Sequence, residues 1–248
     1  IRFQKIQGKL VFASIAIPRG QGLLSPLYEA LKGTPALIKL TKRIRQCLKD
    51  WIYRLQEISR RPTSILELRP TDPIYIGYVD ACKSGAGGVW TTGTQTLHQP
   101  IVWRIEWPDS IQQQLVGTTN KNGKITINDL ELAAILLAWF LAEDLLGNKL
   151  KHQSLAIFSD HTYAVQWTSK RNTSTSTRAA HLLRGLAIRQ YTLQTAPLLI
   201  AHIDGESNKM ADFASRSFNS QNMMLVFTCV ALQRFPKILK ASSKHNGN

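Results

Sequence analysis

The 248-residue sequence is poor in cysteine and lacks any long apolar run, and these two features argue against a disulfide-rich protein and a membrane-spanning protein. Its three cysteines, Cys47, Cys82 and Cys229, lie far apart in the chain. This spacing predicts neither a disulfide framework nor a zinc cluster and is typical of a reducing compartment. No apolar run reaches the roughly 18–20 residues of a membrane-spanning helix. We therefore expect an intracellular protein of the cytoplasm or nucleus, neither secreted nor associated with a membrane.

Acidic residues are scarce, with 16 Asp and Glu against 31 Lys and Arg. Residues 1–70 carry 14 basic and 4 acidic side chains, residues 71–217 carry 13 and 12, and residues 218–248 carry 4 and none. A basic excess that flanks a nearly neutral middle favours a polyanionic partner such as nucleic acid. General solubility and attraction to an anionic membrane surface are the alternatives to this interpretation, and we favour nucleic acid over a membrane as the partner.

The apolar pattern changes near residue 70. Residues 1–60 are predicted to be helical, and 36–58 have apolar residues at three- and four-residue spacing, opposite a basic face. That face is either solvated or lies on a phosphate backbone. Prolines are dense over 59–73 and predict a linker there. The segment 218–248 has no pattern that predicts a structure.

Residues 71–217 alternate short β-branched runs with helical periodicity. The predicted strands are 74–79, 89–92, 101–107, 155–159 and 198–203, and the predicted helices are 130–146, 162–169, 179–194 and 208–217. Asn128 is the predicted N-cap of the first of these helices. Three hairpin strands followed by crossover strands predict an α/β fold, with a five-stranded mixed sheet and helices on its faces.

Four carboxylates occupy positions that require an explanation. Asp80 and Asp160 end predicted strands, Glu131 lies inside the most apolar helix, and Asp212 lies in the last helix. An ionised carboxylate in an apolar helix is costly unless it is paired or binds a metal. Each acid alone has an ordinary explanation: a polar stripe for Glu131, strand-end caps for Asp80 and Asp160, and a solvated position for Asp212. All four together favour a metal site, and oxygen ligands suit Mg²⁺ or Mn²⁺.

The sequence around each acid resembles a motif of type 1 ribonucleases H. The motifs are Tyr78-Val79-Asp80 with the glycine hairpin at 85–90, Asn128 to Ala134 around Glu131, Phe158-Ser159-Asp160, and Asn208 to Asp212 followed by Ala214-Ser215-Arg216. The acids and the elements follow the family's order over residues 74–217. The resemblance implies a ribonuclease H-like fold, with three antiparallel and then parallel strands. It also implies hydrolysis of the RNA strand of RNA–DNA hybrids.

Sequence outside the acid motifs resembles retrotransposon reverse transcriptases. Residues 8–27 are similar to the segment that joins polymerase to ribonuclease H, and 201–212 resemble the ending of retroelement ribonucleases H. The Tyr-x-Asp-Asp polymerase signature is absent from this chain. The resemblance implies a connection-like segment at 1–70 that follows a missing polymerase, a ribonuclease H-like domain at 71–217, and a C-terminal tail at 218–248.

The resemblance also assigns roles to the acids. Two divalent ions roughly 3.5–4 Å apart would promote an in-line displacement at phosphorus. Asp80 would bridge both ions, Glu131 and Asp160 would complete one site, and Asp212 would complete the other. Glu131 would also orient the substrate's 2′-hydroxyl. The expected products carry 5′-phosphate and 3′-hydroxyl ends.

Substrate contacts are expected from the minor-groove residue Asn128 and from Gly85 of the hairpin. Lys170 and Arg178 flank a Ser/Thr-rich loop and would hold phosphates of the DNA strand, although a solvated loop explains them equally well.

This chain departs from the family pattern at two places. His161 follows the third acid where many members carry serine or asparagine. Many members also carry a mobile histidine in the loop before the last helix, and the candidates for its role in this chain are His202 and Glu206. His202 falls on a predicted strand, which favours a structural role, whereas Glu206 is closer to the loop position and would assist product release.

Two further functions remain open at this stage. One is a non-catalytic module of the same fold that binds or tethers nucleic acid. The other is a metal-dependent nuclease of the same fold with a DNA substrate. The presence of all four acids favours an active enzyme, and the glycine hairpin with Asn128 favours the ribonuclease H branch.

Overall fold

A computed structural model describes residues 2–33, 37–92, 100–170 and 176–216 of the chain, so the predicted tail at 218–248 lies outside the described residues. The helices are α1 (Arg2–Ala13), α2 (Ser25–Ala30), α3 (Lys42–Arg60), α4 (Asp109–Gln112), α5 (Ile127–Leu146), α6 (Thr162–Ser169), α7 (Thr177–Thr192) and α8 (Lys209–Arg216). The strands are β1 (Tyr75–Ala81), β2 (Gly85–Thr92), β3 (Ile101–Glu106), β4 (Leu155–Ser159) and β5 (Leu199–His202). Short 3₁₀ helices span Gly20–Leu23, Ile65–Glu67, Gly147–Leu150 and Gly205–Ser207.

The strands form one five-stranded sheet in the order β3-β2-β1-β4-β5. The first three strands are antiparallel, and β4 and β5 run parallel to β1. Val79 and Ala81 are buried in the core cluster that contains α5. Asp80 pairs with Gly87 on the opposite face, where α8 packs. The predicted α/β fold class, a five-stranded mixed sheet of three antiparallel and then parallel strands with helices on its faces, is therefore confirmed.

Glycine at position 87 is what allows α8 to approach the sheet. A Cβ atom built there would lie 2.4 Å from the backbone of Ala214 and Ser215. The glycine-rich segment is therefore part of β2, which begins at Gly85 and not at residue 89 as the sequence predicted. The end of β1 also differs, because the strand runs to Ala81 and places Asp80 one residue before its end.

Helix α5 forms the centre of the main core. Every residue from Asp129 to Ala142 is buried. The prediction that Asn128 caps this helix is wrong, because Thr126 is the N-cap. The Thr126 hydroxyl accepts from the Asp129 backbone N–H at 3.3 Å, and the Asp129 carboxylate accepts from the Thr126 N–H at 3.0 Å. This reciprocal pair satisfies two backbone donors at the helix start and places Asn128 within the first turn.

The first part of the chain has its own apolar cluster. Leu27, Cys47 and Trp51 are buried in this cluster, which also includes Ala187 of α7. Two contacts hold the predicted linker over 59–73 to the rest of the structure: Glu67 is fully buried, and the Thr71 N–H donates to the Ser154 hydroxyl at 2.8 Å. Among the described residues, no helix is both long and apolar enough to cross a membrane.

Candidate active site

A pocket of about 660 Å³ lies where β1 and β4 end. Val79 pairs with Ser159 in the parallel register, so the next residue on each strand, Asp80 and Asp160, emerges at the same edge of the sheet. Glu131 reaches the same pocket from α5. The remaining lining residues are Ala81, Cys82, Lys83, Ser84, Ile127, His161 and Arg216. Three of the four predicted acids therefore meet in one cavity.

The Asp80 carboxylate is buried and is held from α8. The Ser215 hydroxyl donates to its Oδ2 at 2.5 Å. Burial raises the pKa of Asp80 above its ordinary value, and the charges of Asp160 and Asp212 raise it further. The Ser215 hydrogen bond and the Arg216 charge oppose that rise. One hydrogen bond thus positions Asp80, but that bond and the Arg216 charge do not offset the effect of burial and of the two neighbouring negative charges.

Glu131 is the least compensated acid of the site. It is 4% exposed, and its Oε2 atom has no hydrogen-bond partner among the described residues. Burial raises the pKa of Glu131 to about 9, and the charges of Asp80 and Asp160 add to the rise. A hydrogen bond from the Ala81 backbone opposes it. A buried carboxylate without a partner is stabilised by a cation, so this residue fits a metal ligand.

The backbone around Asp160 is held by two hydrogen bonds. His202 Nε2 is 3.1 Å from the Asp160 carbonyl oxygen, and the His161 N–H donates to the Ser159 hydroxyl at 3.1 Å. Gly205 passes close by, since a Cβ atom there would lie 3.3 Å from Asp160 Oδ2. His202, at the end of β5, thus contacts the backbone of a site residue while its own side chain lies outside the pocket lining.

Asp212 is set apart from the other acids. Its Oδ1 accepts from Arg216 Nε at 2.6 Å, and its side chain is 45% exposed. Arg216 lines the pocket, whereas Asp212 does not. Asp212 is still close enough to raise the pKa of Asp80. Within the described ranges, no three His, Cys, Asp or Glu side chains are arranged to hold one metal ion.

The chemistry of the lining nevertheless suits a hard divalent cation. Asp80, Glu131 and Asp160 supply carboxylate oxygens to one cavity, and one of those oxygens is buried with no hydrogen-bond partner among the residues that the structure describes. Mg²⁺ is bound through one or two carboxylates and retained waters more often than by a complete protein cage. The residues present therefore fit such an ion as a cofactor.

The predicted substrate-binding residues lie outside the pocket lining. Gly85 is buried, and its carbonyl accepts from the Cys82 N–H at 2.8 Å. Asn128 is half-buried in the first turn of α5, and Lys170 is exposed at the end of α6. Arg178 Nη1 donates to the Lys124 carbonyl at 2.6 Å. The auxiliary candidate Glu206 is exposed in the Gly205–Ser207 turn, also outside the pocket lining.

Sequence reasoning missed several residues that shape the site. Lys83 and Ser84 line the pocket, and their position three and four residues after Asp80 was the available signal. Asp129 joins two helices, because its Oδ1 accepts from the Ser176 hydroxyl, the N-cap of α7, at 2.6 Å. The Thr126-x-x-Asp129 spacing predicts the capping box, but nothing in the sequence indicates the link to Ser176.

Comparisons with known proteins add only distant structural likenesses. No family model matches the chain, and no curated protein matches it. Ribonuclease H1 LC11, a compost metagenome protein solved with an RNA/DNA hybrid, is 19% identical with a TM-score of 0.41, over 56% of this chain and 92% of its own. Ribonuclease H1 of the archaeon Halobacterium salinarum is 16% identical with a TM-score of 0.37, over 56% of this chain and 92% of its own.

A longer likeness involves the protease-reverse transcriptase of prototype foamy virus. It covers 81% of this chain and 24% of the viral chain, at 19% identity and a TM-score of 0.33. At these values none of the three likenesses carries an argument about function. The fold class stands on the strand order and pairing of the sheet.

Proposed function

We propose that this protein hydrolyses the RNA strand of RNA–DNA hybrids in a reaction that depends on two divalent ions, Mg²⁺ or Mn²⁺. The observation that carries the proposal is the convergence of Asp80, Glu131 and Asp160 on one pocket, with a buried Glu131 oxygen that has no hydrogen-bond partner in the described part of the chain. Asp80 and Glu131 are buried there with raised pKa values, and a pocket that holds such acids is a candidate for catalysis. The sequence motifs around the acids favour the ribonuclease H reaction over other metal-dependent hydrolyses.

The residues of the pocket would have separate roles in this reaction. Asp80, Glu131 and Asp160 supply the ligand oxygens, and Ser215 orients Asp80 through its hydrogen bond. When bound, the divalent ions supply Lewis-acid stabilisation of charge at the reacting phosphate. Water oxygen bonds to phosphorus as the bond to the 3′ oxygen breaks, which leaves a 5′-phosphate and a 3′-hydroxyl. Asp212 would join the ligands on release from Arg216.

The surroundings of the pocket fit a polyanionic substrate. Lys83 and Arg216 line the cavity beside the acids and would compensate phosphate charge. The buried apolar cluster of the basic first segment includes Ala187 of α7, and the basic residues of that segment would extend the binding surface. We propose that residues 1–70 form a connection segment that follows a polymerase domain of the same retroelement polyprotein.

The direct test is cleavage of an end-labelled RNA–DNA hybrid by the purified protein with Mg²⁺. We expect RNA-strand products with 5′-phosphate ends, no cleavage of the matched DNA duplex, and loss of activity with a chelator. Asp80→Asn should lower the rate by about a thousand-fold or more, since several kcal/mol of transition-state stabilisation depend on the ions.

Asp72→Asn is the matched control, because Asp72 is exposed and lies eight residues earlier in the same chain. It should cleave at the parent rate. The proposal fails if the parent leaves the hybrid intact, or if both variants cleave equally.

A second candidate function is a non-catalytic module that binds or tethers nucleic acid. The arrangement of Asp212 favours it, because this acid pairs with Arg216 at 2.6 Å and stays outside the pocket lining. Hybrid binding without any cleavage by the parent protein would support this function and exclude the first.

A further inference from the structure

His161 brings an imidazole into the acidic pocket. It follows Asp160 directly in the chain and lines the same cavity as Asp80 and Glu131. The residue is half-buried and is the N-cap of helix α6.

The ring is held in a defined orientation by the start of α6. His161 Nδ1 accepts a hydrogen bond from the Ala164 backbone N–H at 3.3 Å, which makes His161 the N-cap of the helix. Its own backbone N–H donates to the Ser159 hydroxyl at 3.1 Å. A capping side chain satisfies a backbone donor in the first helical turn and is fixed by that bond.

The capping bond also decides which ring nitrogen carries the proton. A nitrogen that accepts a hydrogen bond has no proton, so in the neutral ring the proton of His161 is on Nε2. Nε2 is on the side of the ring away from Nδ1 and its contact with Ala164. His161 lines the pocket, so Nε2–H is the donor that its ring can offer there, beside acids that present only acceptors once they are ionised as metal ligands.

We propose that His161 is a substrate-contacting residue whose Nε2–H donates to a non-bridging phosphate oxygen of the RNA strand. The proposal rests on the proposed function for the identity of the strand. Phosphate oxygens are hydrogen-bond acceptors and need donors. Lys83 and Arg216 line this pocket and are donors with long charged side chains. A capped imidazole adds a donor of fixed direction, which would set the position of one phosphate relative to the acids.

The test measures hybrid binding by fluorescence anisotropy in an Asp80→Asn background, where the RNA strand stays intact. One RNA phosphate at a time is replaced by a methylphosphonate, and the adjacent 2′-hydroxyl is absent from both the modified hybrid and its reference. His161→Asn keeps an acceptor near the Nδ1 position but has no donor near Nε2. His161→Gln places an amide donor near Nε2 and loses the cap.

We expect His161→Asn to bind the reference hybrid about ten-fold more weakly, as expected for one lost hydrogen bond to a charged acceptor. At one linkage, the methylphosphonate should weaken binding of the background protein but not of His161→Asn. His161→Gln should restore sensitivity at that linkage although its melting temperature falls. Thr41→Ala removes the N-cap of α3, whose side chain accepts from Ile44, and should leave the sensitivity unchanged.

Equal sensitivity of the background protein and His161→Asn at every linkage would overturn the inference. So would a failure of the background protein to bind the hybrid. Binding with the expected pattern, but without cleavage by the unmodified parent, would exclude the proposed nuclease while supporting the His161 contact. Cleavage by the parent without the pattern would reject the contact alone.

Discussion

Two regions of the molecule bury charged side chains, and they treat those charges differently. At the junction of the first segment and α7, each guanidinium nitrogen of Arg19 has a partner. Nε donates to Gln190 Oε1 at 3.1 Å, and Nη1 and Nη2 donate to the carbonyls of Glu67 and Thr195. In the pocket, Glu131 keeps a buried oxygen with no partner among the described residues.

The acids of the two regions differ in the same way. Glu67 is fully buried, and its Oε1 and Oε2 accept hydrogen bonds from Nη1 and Nη2 of Arg61 at 2.7 and 3.0 Å. Glu131 instead faces two further acids, and its pKa is raised to about 9. A compensated buried charge fixes how two parts of a chain pack, whereas an uncompensated one is kept for a ligand. The junction is therefore structural, and the pocket is the region where function is expected.

The largest expected effect comes from breaking the junction. Arg19→Met removes three hydrogen bonds and leaves their acceptors buried, so we expect the free energy of unfolding to fall by about 3–5 kcal/mol. Urea unfolding followed by circular dichroism measures it. Lys49→Met, on the exposed face of α3, is the control and should change little. A loss below about 1 kcal/mol for Arg19→Met would show that the junction is not structural.

In the pocket, by contrast, we expect removal of a buried charge to raise the free energy of unfolding. Because the pKa of Glu131 is about 9 in the folded protein against 4.5 for the free side chain, folding takes up a proton between these pH values. The metal-free protein therefore loses stability as pH rises from about 4.5 to 9. Glu131→Gln should stabilise it by about 2–3 kcal/mol at pH 8 and by much less at pH 5.

Urea unfolding in a chelator at the two pH values measures this difference. Glu143→Gln is a suitable control, because Glu143 is on the same helix and is paired with Arg189. The interpretation of Glu131 fails if its substitution has the same effect at pH 5 and pH 8.

A smaller effect is expected at the hydrogen bond that holds Asp80. Ser215→Ala removes a donor that lowers the pKa of Asp80, so the pKa should rise and the acidic limb of the pH–rate profile should move to higher pH. Hybrid cleavage at pH 6 should fall by about 3- to 10-fold, with recovery at pH 8. A fall of equal size at every pH would mean that Ser215 only supports packing.

The smallest effect on stability is expected at an exposed charge pair that lies outside both the junction and the pocket. Arg60 and Glu57 lie 3.5 Å apart on α3, and the Arg60 side chain is 74% exposed. Arg60→Ala should change the free energy of unfolding by less than about 0.5 kcal/mol, since solvent and salt screen such pairs. Urea unfolding at low and high salt tests this. A change as large as that of Arg19→Met would remove the contrast between buried and exposed charges.

Local patterns predicted much of the fold. Strand β4 and helix α6 occupy the predicted residues 155–159 and 162–169. The i,i+4 spacing of Asp212 and Arg216 also indicates their pairing. Local patterns failed where a distant element decides the structure. The glycines of β2 resemble a loop in sequence, yet they form a strand because they pair with β1 and β3, and the lack of a side chain at Gly87 leaves room for α8.

The site divides in the same manner. Apolar periodicity around Glu131 was enough to mark a buried acid, since an apolar helix has no polar face to receive it. The partners of the acids were not visible, because Ser215 is 135 positions from Asp80 and Ser176 is 47 positions from Asp129. Such pairs form only when the sheet and helices bring distant segments together.

The sequence by itself determined the acids, the order of the elements and the burial of α5, because these depend on residue type and periodicity along the chain. Only the tertiary structure decided that Asp80, Glu131 and Asp160 share a pocket while Asp212 turns to Arg216. It also decided that His161 caps α6 beside those acids. The physical reason is that a carboxylate's pKa and partners depend on burial and on neighbouring charges, which are set by packing between segments that are remote in the chain.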